Sequence, residues 1–245
     1  MQTDKVRNRI LGLDLARSVA LVGMAIYHFG FDLESFGHIS PGTMETGVWW
    51  SFARLVAGSF LFIAGISLFL AHGQAIRWRS FLKRLAVIVA AAVLVTVVTR
   101  YAMGPNFVFF GILHSIALSS LIGLLTLRLP APLTLLAALG VAMAPSYLRS
   151  TVFDASWLLW TGLSVRPVFA VDFVPTFPWL APVLAGIAAG RIGARTRIWD
   201  RLRTSNPGAT LRALAWPGRH SLMIYLLHQP VLIGIVVGLT RLGWL

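Results

Sequence analysis

The sequence predicts an all-α membrane protein, a single polytopic bundle of about seven transmembrane helices over residues 1–245 with its N-terminus in the cytoplasm. Composition and charge pattern carry that expectation. The chain is 57% hydrophobic and 12% charged, too apolar for a soluble domain. Its +13 net charge is gathered in short segments between apolar runs, the arrangement of cytoplasmic loops and not of a nucleic-acid surface. Nucleic acid is therefore excluded as a partner, and the lipid bilayer is the expected surroundings. The absence of cysteine excludes a disulfide scaffold, a zinc–thiolate site and a thiol nucleophile. No metal is expected.

Apolar runs able to cross about 30 Å of hydrocarbon fall at 11–31, 48–71, 82–99, 107–127, 131–147, 176–190 and 216–240. The first follows the short basic stretch Met1–Ile10, which no small-residue cleavage site separates from it, so the stretch reads as its cytoplasmic end. Alternating the runs across the membrane collects Arg77, Arg79, Lys83, Arg84, Arg128 and the Arg191–Arg203 cluster on the same side. The opposite loops hold Asp32, Glu34, Glu45, Asp154 and Asp172 against Arg100, Arg149, Arg166 and Arg241, with no basic excess. The tryptophan-rich stretch 151–163 reads as interfacial or re-entrant, with Trp157 and Trp160 at headgroup level; an eighth span there would turn the Arg191–Arg203 cluster outward. Thr204–Thr210 reads as a cytoplasmic loop. Gly186-x-x-x-Gly190 and Gly234-x-x-x-Gly238 predict close helix packing and allow a homodimer.

Ionisable residues inside the first run are the strongest functional signal, because burying them in hydrocarbon is costly. Arg17 and His28 lie on one helical face, about 16 Å apart along its axis. Asp14 shares that face and is placed to pair with Arg17, either as an interfacial ion pair or as part of a binding site. His38 falls in the first outer loop, His114 in the outer half of the fourth run, and Ser221, Tyr225 and His228 form a polar stripe on the last. Imidazole exchanges a proton near neutrality and so suits general-base work. His114 reads either as a helix-packing group or as a site residue, and Ser221 with Tyr225 either as interhelical glue or as support. Arg54 is placed to neutralise Glu45 or Asp32 or to hold an anion. Arg166 and Asp172 flank a Pro/Phe-rich outer segment, as a surface pair or as residues that order a loop over the site. His72 and His220, at cytoplasmic helix ends, read as solvated.

Several of these residues fall in a familiar order. Leu13-Asp14-Leu15-Ala16-Arg17, the outer-loop His38, Phe60–Ser67, Gly111-Ile112-Leu113-His114, Asp172 before a Pro/Leu-rich span, and Trp216-Pro217-Gly218 leading to Ser221, Tyr225 and His228 resemble the catalytic module of heparan-α-glucosaminide N-acetyltransferase. That resemblance implies transfer of an acetyl group from cytosolic acetyl-CoA to the amine of a terminal amino sugar across the membrane, with His38 as the catalytic histidine. The spacing of Arg17 and His28 is also similar to the first-helix signature of the acyltransferase-three family, which nominates His28 instead. The chain looks like a minimal bacterial relative in the cytoplasmic membrane, so the acceptor implied is an amine or hydroxyl of a sugar, not heparan itself.

The mechanism expected is therefore transmembrane acyl transfer. Arg17, Asp14 and Arg54 hold the acyl-CoA donor; His38 or His28 acts as general base or acyl carrier; His114 and the Tyr225/His228 stripe orient the base or donate to the developing oxyanion, with Ser221 and Asp172 in support. The alternative is a proton-coupled transporter or flippase, in which Asp14, Arg17, His28, His114 and His228 form the intramembrane path.

Overall fold

The computed structural model describes residues 10–204 and 208–245. Lys5, Arg7 and Arg9, which carry the orientation of the N-terminus, and the centre of the Thr204–Thr210 loop lie outside the described residues. The chain builds ten α-helices among those residues: α1 Leu11–Ser35, α2 Gly47–His72, α3 Trp78–Met103, α4 Ile112–Thr126, α5 Ala131–Tyr147, α6 Thr176–Arg195, α7 Ile198–Thr204, α8 Ala209–Leu214, α9 Trp216–Arg219 and α10 Ser221–Arg241. No strand occurs among them.

The seven expected runs correspond to α1–α6 and α10. By length and composition α2, α3 with its trailing 3-10 turn to Asn106, α6 and α10 can each cross a membrane, and α4 and α5 are shorter apolar helices. At 15 and 17 residues these two reach about 22–26 Å, so they cross only partly or where the bilayer thins. With 25 residues α1 is long enough, but it carries Asp14, Arg17, Asp32 and Glu34. The protein is an integral membrane helix bundle. The stretch 151–163 forms two short 3-10 helices, Thr151–Asp154 and Ser156–Thr161, with Trp157 exposed.

The residues divide into two compact units, one of the chain up to Phe60 together with Arg197–Leu245, the other Leu61–Thr196. In the first unit α1 runs along α10 and meets α7, α8 and α9 at its other end. The last apolar run is broken here: α9 ends at Arg219, His220 leaves helical geometry, and α10 starts at Ser221. The break brings Gly218 against α1, where its N–H donates to Ser18 Oγ at 2.8 Å. A Cβ on Gly218 would lie 1.8 Å from the carbonyl oxygen of Asp14, so only glycine permits the approach. Beyond α1 the outer loop is anchored by Glu34, whose carboxylate accepts the N–H groups of Gly42 at 2.7 Å and Met44 at 2.8 Å. Met44 is 1% exposed and lies on Gly30.

In the second unit α6 packs on α5 and α4, and α4 on α3. Gly65 and Gly186 let α2 and α6 touch backbone to backbone, since a Cβ on either would fall 2.1 Å from a carbonyl oxygen of the other helix. The close packing expected at Gly186 is thus present; at Gly234 and Gly238 an added Cβ would meet nothing. Arg191 donates to the carbonyl of Leu127 at the C-terminal end of α4 and lies over the Phe69 ring, a cation placed at the negative end of a helix. One expectation is corrected here. His72 is not solvated but 4% exposed, because its Nδ1 accepts the N–H of Arg77 and its ring meets Phe81 edge on.

Candidate functional site

The polar residues of the first unit form a column along the α1–α10 pair, at three levels. At the lowest, Asp14 is buried between two guanidinium groups: Arg17 Nη1 donates to Oδ1 at 2.8 Å and Arg219 Nε stands 3.5 Å from Oδ2. The predicted i,i+3 pair is therefore one half of a three-residue cluster, whose other half arrives through the Gly218 approach. Two cations against one carboxylate leave one net positive charge, and Arg219 Nε is buried with no hydrogen-bond partner. The cluster suits a phosphate or another anion.

About 16 Å above Arg17 along α1 the His28 ring meets that of His228 edge on, the centroids 4.9 Å apart, and also contacts the Tyr27 ring. His228 Nδ1 bonds the carbonyl of Tyr225. A carbonyl only accepts, so Nδ1 carries the hydrogen and the neutral ring presents a lone pair at Nε2. That nitrogen is buried and unpartnered. One turn above His28, Asp32 is 3% exposed and its Oδ1 accepts from Gln229 Nε2 at 2.6 Å. Asp32 Oδ2 and Gln229 Oε1 are buried without partners as well. Three unfilled polar atoms around one pair of imidazoles mark this level as a place built for a ligand or water.

At the top, His38 leaves the end of α1 with its N–H on the carbonyl of Leu33. Its Nε2 lies 2.8 Å from the Thr240 hydroxyl, which in turn reaches the Val236 carbonyl at 2.9 Å. With the hydroxyl hydrogen on that carbonyl, His38 Nε2 donates and Nδ1 holds the lone pair. Twelve residues of α10, about 18 Å of helix, separate Thr240 from His228. His28 and His38 therefore serve different levels.

The remaining candidates lie elsewhere. Both nitrogens of His114 are engaged in the second unit: Nδ1 accepts the N–H of Gly111 at the start of α4, and Nε2 lies 3.2 Å from Thr96 Oγ1. Of the two readings of His114, these contacts favour helix packing. Asp172, in left-handed geometry at φ 52°, takes the N–H of Ile112 on its Oδ2 at 3.4 Å, so it caps the positive end of α4. Arg166 pairs with Asp154 and not with Asp172, its Nε 3.5 Å from Oδ2. Arg54 lies over the Trp50 ring at 4.3 Å. Ser221 starts α10, and Tyr225 has its ring against His228. Among the described residues no three His, Asp or Glu side chains gather where they could hold a metal ion.

Asp32, Gln229, Thr240 and Arg219 join the column without having been singled out in the sequence. A carboxylate one turn beyond His28, and an amide beside His228 in an apolar helix, were the available signals.

The family model described as heparan-alpha-glucosaminide N-acetyltransferase, catalytic, matches residues 9–230. No curated protein and no solved structure matches the chain.

Proposed function

The chain belongs to the heparan-alpha-glucosaminide N-acetyltransferase catalytic family, and from that premise we propose that it moves an acyl group from cytosolic acyl-CoA to an amine or hydroxyl of a sugar-type acceptor on the far side of the membrane. The observation that carries this reading is the column itself: Arg17 stands about 16 Å below His28 on α1, with Arg219 of α9 joining the lower level and His228 of α10 the upper. Arg17 and Arg219 are the cations that meet the donor's phosphates. From there a pantetheine arm reaches the middle level, where the thioester carbonyl meets the acceptor. His28 takes the proton from the acceptor nitrogen or oxygen as that atom attacks the carbonyl; the C–S bond breaks and the departing thiolate recovers a proton. Direct attack by imidazole, with the acyl group carried briefly on nitrogen, uses the same geometry. His38, the histidine nominated by the family resemblance, serves instead if the thioester rises a further stretch of helix to Thr240.

With acyl-CoA on the basic side, the membrane is the bacterial cytoplasmic membrane and the acceptor is extracytoplasmic. The test is calorimetric titration of the purified protein with acetyl-CoA, free CoA and acetyl-CoA against Arg17→Ala. Saturable binding that the substitution weakens supports acyl transfer. No binding to folded protein sinks it and favours the transporter reading, for which the same column would be a proton path.

A further inference from the structure

The middle level has a chemical bias that goes beyond acyl transfer in general. Three of its buried polar atoms lack a partner: Asp32 Oδ2, Gln229 Oε1 and His228 Nε2. Each is an acceptor. Gln229 spends its amide donor on Asp32 Oδ1, which leaves its buried oxygen without a donor. His228 spends its N–H on the Tyr225 carbonyl, which leaves a lone pair. Asp32, as a carboxylate, has only lone pairs to offer.

Proximity follows from the helices that carry these groups. Gln229 is bonded to Asp32, His228 is its chain neighbour, and His28, one turn below Asp32, is in ring contact with His228. Buried acceptors without donors are costly and uncommon in native proteins. A ligand that fills all three must bring several hydrogen atoms and answer one negative charge. A sugar hydroxyl brings a single donor and no charge. A protonated primary amine brings three N–H groups and a positive charge, matching the site in number and in sign.

Resting on the acyl-transfer reading, we propose that Asp32, Gln229 and His228 form a cradle for the amino group of the acceptor, with Asp32 as the residue that selects an amine over a hydroxyl. Asp32 and Gln229 lie outside the motifs that carry the family resemblance. Asp32 and Gln229 are positioning residues. For attack the ammonium turns one N–H from the cradle to the adjacent His28 imidazole and loses that proton there, and the freed lone pair attacks the thioester carbonyl as the C–S bond breaks and the thiolate of CoA departs.

The experiment is calorimetric titration of the full-length purified protein, near neutral pH, with glucosamine and with glucose. The comparison covers the wild type, Asp32→Asn and Gln229→Met, with thermal unfolding as the check on folding. The wild type is expected to bind glucosamine at least about tenfold more tightly than glucose, since a charge-assisted bond to a buried carboxylate distinguishes them. Asp32→Asn is expected to erase that preference while leaving acetyl-CoA binding in place. Equal affinity for the two sugars, no glucosamine binding by the wild type, or a preference that survives in folded Asp32→Asn would overturn the proposal. Should Asp32→Asn fail to fold, Gln229→Met decides: a preference reduced several-fold supports the cradle, and an unchanged one overturns it. Acetyl-CoA titration separates the two levels of inference. An Asp32-dependent preference for glucosamine in a protein that does not bind acetyl-CoA keeps the cradle and removes acyl transfer.

Discussion

His28 and His228 meet edge to ring across α1 and α10 with centroids 4.9 Å apart, and the hydrogen on His228 Nδ1 is committed to the Tyr225 carbonyl. The pair is thus oriented from one side only, and His28 is the member free to change its proton inventory without breaking a backbone bond. His28→Asn should lower turnover by about 10²- to 10⁴-fold, the usual worth of a general base, with acetyl-CoA affinity unchanged. Steady-state kinetics beside calorimetry measures both. A dead His38→Ala with an active His28→Asn would move the chemistry to the upper level.

That upper level makes its own claim. Because the Thr240 hydroxyl reaches the Val236 carbonyl as well as His38, it fixes the imidazole with hydrogen on Nε2. Ring ¹⁵N shifts of His38 should show that tautomer in the wild type, a mixture in Thr240→Val, and recovery in Thr240→Ser. Unchanged shifts in Thr240→Val would remove Thr240 from any role in setting the ring.

Docking of α9 depends on Gly218. A methyl group there would sit 1.8 Å from the carbonyl oxygen of Asp14, and the obstacle is helix backbone, which does not swing aside. Gly218→Ala should cost about 3 kcal/mol or more, at the upper end of overpacking, read as a lowered unfolding midpoint in detergent. It should also weaken acetyl-CoA binding, because it displaces Arg219 from Asp14.

How much of this was legible in the sequence depends on what each residue pays for burial. The apolar runs marked α1–α6 and α10, since hydropathy reports directly on the hydrocarbon a segment can face. The break at His220 was hidden, because Trp216-Pro217-Gly218 continues the apolar pattern and the need for glycine arises only from Asp14, about 200 positions away in sequence. His28 and His228 stood out as polar groups in apolar helices. Asp32 read as a loop residue because the apolar run ends at 31 while the helix continues to Ser35. Gln229 carries no charge, so its signal, an amide beside His228 in an apolar helix, was weaker than that of the histidine. For His114 the sequence left helix packing and a site role both open, and Gly111 and Thr96 lie against its two nitrogens.

The lower cluster predicts an asymmetry between two arginines that share one carboxylate. Arg17 Nη1 bonds Asp14 closely, whereas Arg219 Nε is 3.5 Å away and unfilled. Arg219→Gln should therefore weaken acetyl-CoA binding by roughly tenfold, about 1.4 kcal/mol, with little loss of stability. Asp14→Asn should instead destabilise the fold by about 3 kcal/mol, since it leaves two partly buried cations uncompensated. Binding and thermal unfolding of the two variants separate these outcomes. Equal destabilisation by both would mean that Arg219 is structural.

On the loop between α5 and α6, Asp154 predicts a dependence on pH. The Ser164 hydroxyl, then the N–H groups of Arg166 and Val165 and the Arg166 charge, hold its carboxyl below the usual carboxylate range. A lowered value means that the folded loop binds the ionised form better than the unfolded loop does. The contribution is therefore complete above the unfolded value of about 3.9 and is lost as pH falls toward the lower folded value. Hydrogen exchange over 150–166, corrected for intrinsic rates, should be slow and flat from pH 7 to 5 and should rise only in more acid solution. Asp154→Ala should exchange faster across the whole range, with the difference from the wild type shrinking as the wild-type carboxylate protonates. A gap that persists undiminished in acid would mean that Asp154 orders the loop by its shape and not by its charge.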